Sequence, residues 1–409
     1  AIKRSTAGDE HYESAIAMGN LAGLYDENQR PDEALRLLEQ SLAILNKTLG
    51  ADHPNVAIGL ANLASHFHRK GDHARALPLY QRALRIATMA AYPELIREMQ
   101  GHLRKTHAGL KQPDLAIFFG KQAVNTMQTM RGRSLDLAKD LQQSLLKRNA
   151  DHYRALADLL IEAGRLAEAQ QVLSMLKEEE FFEFIRRDIP ADPRATRLSW
   201  TPAEAGFAAE QERIGSALAG LATEKRALDL RAKLGLSEAD RIRLTTLQGE
   251  LAELGQQNGA LLENLARQLP AAQKRLAEAE RRNQDRLAAN LREQLASLSE
   301  GTALLHYLVL GDRVRIMLTT RGKLVAREAS MPEGELFRQL VEFRLAVQDP
   351  NGKPLSLARK LHDLLIAPVT TDLAAAKVHT LLISLDGALR YIPFTALHDG
   401  QTYLVERYA

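Results

Sequence analysis

The strongest constraint on this chain is an internal repeat. His11, Ala15, Asn20, Leu21 and Ala22 recur 42 residues later as His53, Ala57, Asn62, Leu63 and Ala64. Ala34-Leu35 recurs as Ala76-Leu77, and Leu42 and Ile44 recur as Leu84 and Ile86. A fixed period of this size means stacked copies of a small unit that cannot bury its apolar face alone. Each copy has two helical stretches split by a polar turn, Asn28-Gln29-Arg30-Pro31-Asp32 in one and Arg69-Lys70-Gly71-Asp72 in the next. Small residues at Ala22, Ala34, Ala64 and Ala76 let paired helices approach closely, and Leu and Ile on the same faces fill the space between hairpins. A third copy keeps its second helix, from Gln112-Pro113-Asp114 to Ala123-Val124, but its first, near Leu95 to Gly109, is degenerate. A fourth runs from Tyr153 through Leu176, with its turn at Gly164-Arg165 and small residues at Ala157 and Ala169.

Composition agrees with helices packed on helices. The 409 residues are 45% hydrophobic but only 5% aromatic, and a chain this long divides into two or three domains. Charged residues are 26%, with 54 Lys and Arg against 51 Asp and Glu, and the signs are interspersed, as in Lys274-Arg275 followed by Glu278 and Glu280. Nucleic-acid binding requires a clustered basic face, and none is present, so no nucleic-acid partner is expected. No stretch approaches the roughly 18 consecutive apolar residues of a membrane span, and no secretory signal is read at the start, so no membrane partner and a cytoplasmic location are expected. There is no cysteine, which excludes disulfides, thiolate metal sites and a cysteine nucleophile within these residues. Ala1 is not methionine and Ala409 follows a strand-like run, so the chain is expected to be a fragment.

The repeat over roughly residues 11 to 186 resembles the tetratricopeptide repeat, and its spacing resembles the longer kinesin-light-chain variety. The resemblance implies a curved α-solenoid whose first helices line a concave groove that holds a protein or peptide ligand. Asn20 and Asn62 lie in first helices and are the candidate partner-binding residues, through hydrogen bonds to an extended peptide backbone. Hydrogen bonding between neighbouring repeats is the alternative. His66, His68 and His73 raise a metal site, but His73 lies beyond the Gly71-Asp72 turn and no acidic partner is evident; no metal and no cofactor are expected. Phe181, Phe182 and Phe184, after Glu178-Glu179-Glu180, read as a solenoid cap or as a partner patch.

Residues 187–203, with Pro190, Asp192, Pro193 and Pro202, read as a linker or an ordered crossing around Trp200. The next hundred residues are helical in pattern. Leu244, Leu247, Leu251 and Leu254 follow coiled-coil spacing, Leu261, Leu265 and Leu269 continue the stripe, and Ser237 before Asp240 marks a helix start. After Pro270 a second stripe runs through Leu287, Leu291, Leu295 and Leu298. Two or three long helices forming an antiparallel arm are expected over residues 187–300. The arm is either a spacer packed on its neighbours or a surface for a partner or for self-association.

From Gly301 the pattern changes. Strands are read at Ala303 to Leu310, Val314 to Thr319 and Leu324 to Arg327, joined by Gly311-Asp312 and by Arg321-Gly322-Lys323. Helices follow around Glu335 to Val347 and Leu355 to Leu365, then a buried strand over Thr380 to Leu385 that ends in Asp386-Gly387. The stretch from Leu382 through Asp386-Gly387-Ala388-Leu389-Arg390-Tyr391-Ile392-Pro393-Phe394-Thr395-Ala396-Leu397, with Asp399-Gly400 and Tyr403-Leu404-Val405-Glu406 after it, resembles the amino-terminal part of CHAT domains. Leu385 stands where that family commonly has proline before the Asp-Gly. The fold class is thus mainly α: a tetratricopeptide solenoid over 1–186, a helical arm, and from 301 an incomplete α/β caspase-like module.

CHAT domains resemble caspases and separase, so the resemblance implies a cysteine peptidase with an activating histidine. Both catalytic residues are expected beyond residue 409. His306, His362, His379 and His398 have no cysteine to activate, and Ser384 lacks the Gly-x-Ser-x-Gly elbow of serine hydrolases, so no residue here is assigned a catalytic role. Asp386, Gly387, Pro393 and Phe394 read as structural, with a substrate-pocket role for Asp386 or Arg390 the other reading. Two functions compete: the partner-sensing, amino-terminal portion of a caspase-like peptidase, of the bacterial kind the resemblance implies, or a non-catalytic protein-binding scaffold. A third possibility is a chain separated from its remainder by processing near Ala409.

Overall fold

The computed structural model describes residues 11–130, 139–184, 197–232, 235–275, 300–321 and 323–409. The side chains of Phe181, Phe182 and Phe184, the linker residues Pro190, Asp192 and Pro193, and the stripe from Leu287 to Leu298 lie outside the described residues. The chain forms two compact units, residues 1–145 with 189–280, and residues 146–188 with 281–409.

The first unit is built from three helical hairpins. They are α1 (Tyr12–Glu27) with α2 (Pro31–Leu49), α3 (Pro54–Arg69) with α4 (His73–Met89), and α5 (Pro93–Gly109) with α6 (Pro113–Met130). The recurring histidines are helix caps. His11 Nδ1 accepts the Glu13 N–H at 3.3 Å and His53 Nδ1 accepts the Asn55 N–H at 3.1 Å, satisfying donors that a helix leaves free at its start. Proline begins α2, α3, α5 and α6, where its missing N–H costs nothing. The recurring alanines Ala15, Ala22, Ala34, Ala57, Ala64 and Ala76 are fully buried, and Ser41 Oγ donates to the Ala15 carbonyl at 2.6 Å across one hairpin. The degenerate first helix of the third copy is a regular helix, its core face held by Leu95, Met99 and Leu103.

The arm consists of α9 (Pro202–Ala232) and α10 (Glu238–Arg275), and it belongs to this same unit. Ser237 caps α10: its Oγ accepts the Asp240 N–H at 3.1 Å, and its own N–H donates to the Asp240 carboxylate. The two helices pack on each other, with α9 also on α4 and α10 on α6. The leucines read as a coiled-coil seam are consumed there: Leu251 and Leu254 pack with Met89, Ile214 and Leu218, and Leu265 and Leu269, with Leu262, join the hairpin core. Pro270 does not end α10, which continues to Arg275. Leu265 and Leu269 are buried just before it, and Gln273 Nε2 donates to Thr201 Oγ1 at 3.3 Å just after, so tertiary contacts outweigh the missing backbone bond. Residues 197–201 are the ordered crossing. Leu198 exchanges hydrogen bonds with the Asn125 amide, and Trp200 packs on Phe118.

The second unit is three layers deep. Its sheet runs in the order β3-β2-β1-β4, with β1 (Thr302–Val309), β2 (Arg313–Thr319) and β3 (Leu324–Ser330) antiparallel and β4 (Thr380–Ser384) parallel to β1. Side chains alternate across a strand, so each strand presents two faces. Ala303, Leu305 and Tyr307 of β1 share a core with Val314, Ile316 and Leu318 of β2. That core is closed by α11 (Glu333–Gln348), through Leu336, Leu340 and Phe343, and by α12 (Leu355–Leu365), through Ala358, Leu361 and Leu365. The opposite face carries His306, Leu308, Arg315, Met317 and Thr319, and these are buried as well. Its cover is the fourth hairpin, α7 (Lys139–Glu162) and α8 (Leu166–Phe184), which turns at Gly164 with φ of 72°. Asp158 of α7 binds Arg315 at 2.8 Å and Arg313 at 2.7 Å, and Gln170 of α8 meets His306 at 2.7 Å. By pattern this hairpin is the last repeat. By packing it is a layer of the C-terminal sheet.

Candidate functional site

Two regions present chemistry. In the first unit it is one face of the first helices α1 and α3. Asn20 is exposed on α1, and Asn62 is half-buried on α3, its amide nitrogen lying against Gly19. Ile16 and Asn20 stand one turn apart on α1, and Ile58 and Asn62 one turn apart on α3, with both isoleucines exposed. The 42-residue spacing that matched the asparagines also matches Ile16 with Ile58, so this apolar pair was present in the repeat and unused in reading it. An isoleucine beside an amide suits a ligand with an apolar side chain and a free main-chain group.

The histidines divide. His66 Nδ1 donates to Asp26 of α1 at 2.8 Å, and Arg69 binds the same carboxylate, tying the first hairpin to the second. His68 and His73 face each other instead, Nδ1 to Nδ1, at 3.0 Å. Burial, then the charges of His73, His102, Lys105 and Arg69, hold His68 below the usual imidazole range. Among the described residues, no group of three or more His, Cys, Asp or Glu side chains is placed to hold a metal ion.

A cleft of about 710 Å³ also opens in this unit between α4, α5, α6, the crossing and α9. Gln100, Gln122, Asn125, Thr126, Trp200 and Gln211 line it. Gln122 Nε2 donates to Gln211 Oε1 at 2.7 Å, and Thr126 Oγ1 donates to Gln100 Oε1 at 2.8 Å. At the root of this crossing, Lys121 Nζ donates to Glu204 at 2.7 Å and to the Ser199 carbonyl at 3.0 Å; both ionic side chains are buried.

In the second unit the chemistry gathers at the end of β4. Asp386 is 2% exposed, and its carboxylate accepts Arg154 Nη2 at 2.9 Å, Arg154 Nε at 3.1 Å and the Val309 N–H at 3.1 Å. Burial pushes its carboxyl up, but the Arg154 hydrogen bonds and charge outweigh burial and hold it below the usual range. The Leu385 carbonyl accepts Lys177 Nζ at 2.6 Å and Arg390 Nε at 3.2 Å. Phe394 is buried with its ring 5.4 Å from Tyr307, anchoring the Pro393-Phe394 segment in the core. Of the histidines here, His306 is buried on β1 against Gln170, and His398 Nδ1 accepts the Gly400 N–H at 2.8 Å. Ser384 pairs in register with His306 across β4 and β1. Arg154, Asp158, Gln170 and Lys177 were not singled out from sequence, where each reads as an ordinary polar residue of a repeat.

A stack of paired helices joined to a mixed α/β sheet defines a repeat protein with a C-terminal α/β module. The tetratricopeptide-repeat family matches residues 1–47 and 13–89, and the CHAT-domain family matches residues 355–409. Residues 1–89 thus match tetratricopeptide repeats, and residues 355–409 match part of a CHAT domain. Among solved structures, a Podosopora anserina protein described as a kinesin light chain with nearly identical TPR-like repeats is 24% identical, covering 45% of this chain and 83% of that one with a TM-score of 0.36. A point variant of the same protein is also 24% identical, covering 44% of this chain and 81% of that one with a TM-score of 0.35. No curated protein matches the chain. Among the described residues no helix is long and apolar enough to cross a membrane.

Proposed function

We propose that this chain is the cytoplasmic, partner-sensing portion of a tetratricopeptide–CHAT cysteine peptidase of the caspase-like kind, with its histidine and cysteine in sequence beyond residue 409. The observation that carries the reading is the CHAT match over residues 355–409 in a chain that also bears tetratricopeptide repeats. The repeats hold a protein or peptide across the face carrying Ile16, Asn20, Ile58 and Asn62. Asn20 and Asn62 bind its main chain and the isoleucines take its apolar side chains. Self-association through the arm would use outward residues such as Leu230 and Ile242, because the leucine seam is spent inside the first unit.

These 409 residues hold no cysteine, so peptidase chemistry needs a thiol from elsewhere in the polypeptide. A peptidyl fluoromethyl ketone, which alkylates an activated thiolate, should label the complete polypeptide at one cysteine outside residues 1–409. A complete polypeptide that takes no label and cleaves no peptide would contradict the peptidase reading and support a binding scaffold.

A further inference from the structure

The turn that follows β4 is held by two cations from the α7–α8 hairpin, Arg154 and Lys177, which lie with it in the second unit. Arg154 of α7 binds the Asp386 carboxylate twice, and Lys177 of α8 donates to the carbonyl of Leu385, the residue before it. Gly387 completes the turn with φ of 52°, a left-handed conformation that glycine adopts without strain. Leu389, two residues on, is fully buried.

A buried carboxylate is stable only while it is paired. Without Arg154, Asp386 would keep one backbone donor, the Val309 N–H, and the more distant charge of Lys177, too little to offset its desolvation. It would then swing toward water or take up a proton, and either change moves the turn and the short helix Gly387–Tyr391 behind it. The position of the turn therefore depends on the hairpin's contacts.

We propose that the α7–α8 hairpin is a clamp on the end of β4, with Arg154 and Lys177 as its positioning residues. Seated, the hairpin holds the Leu385–Gly387 turn inward; displaced, it releases the turn. A ligand that favours the displaced hairpin would thus be read out at the strand end, by its differential affinity for the two arrangements. The regulatory purpose rests on the repeat-sensing reading above. The clamp itself does not, since it concerns only these contacts.

Amide hydrogen exchange on the full chain tests it. Arg154→Met should speed exchange across residues 387–392 by roughly tenfold or more, leaving α1 to α6 unchanged. Adding Asp386→Asn to that variant should return exchange toward the wild-type rate, because the neutral amide still accepts from Val309 and leaves no buried charge. Wild-type exchange in the Arg154→Met chain, or no recovery in the double variant, would overturn the clamp. If Arg154→Met does not fold, Lys177→Met is read in the same way, with faster exchange over 387–392 supporting the clamp and an unchanged rate overturning it. Peptidase activity does not enter this readout, so a failed peptidase reading and a failed clamp give different results.

Discussion

His306 illustrates how one residue type takes its meaning from its surroundings. On sequence it was one of four histidines near a peptidase-like segment, with no cysteine to serve. In the structure burial, then the charge of Lys177, pushes its imidazole down to about 4. It therefore stays neutral against Gln170. Since an unfolded imidazole titrates near 6.5, the unfolded chain binds more protons than the folded one between roughly pH 6.5 and 4. The stabilisation is complete above that window and is lost as the pH falls through it, by at most about 3 kcal/mol. Urea unfolding of the second unit should thus weaken between pH 7 and 5, and His306→Asn should flatten that slope. An unchanged slope in the variant would show that His306 does not carry it. Nothing local in the sequence marks this, because the residues that bury His306 come from α8, 136 positions away.

Elements were the most legible level. The 42-residue repeat predicted paired helices, and the structure adds that its recurring histidines are caps and its recurring alanines are close contacts. The strands over 302–330 and 380–384 were legible because turn residues and apolar runs are local signals, but β4, expected to be buried, is only half-buried, with Leu382 exposed. The arm was legible as helices but not in where it packs. Its seat is the Lys121–Glu204 pair, reinforced by the Thr201 N–H donating to Glu204 at 3.0 Å. Removing one partner leaves a charge without its counter-ion in a buried site, so Lys121→Met should lower the stability of the first unit by about 3–5 kcal/mol. Lys121→Met with Glu204→Met should recover most of that loss, measured as the urea midpoint. A single variant as stable as the wild type would mean that the pair does not anchor the arm.

At the scale of the whole molecule, repeat pattern and packing divide the chain differently. Residues 153–176 repeat like their predecessors, yet their side chains complete a sheet more than a hundred residues onward. That was illegible because a strand buried on both faces shows only that a cover exists, not which segment supplies it. The ion pairs from Arg154, Asp158 and Glu162 to Asp386, Arg313 and Arg315 supply the answer. The fourth hairpin is thus a repeat by pattern and, by packing, a layer of the second unit. Native-state hydrogen exchange at increasing denaturant tests this membership most directly, since amides of one cooperative unit converge on one opening free energy. Amides of residues 150–177 should converge with those of β1 and β2. Convergence of residues 150–177 with α1 to α6, and not with the sheet, would contradict it.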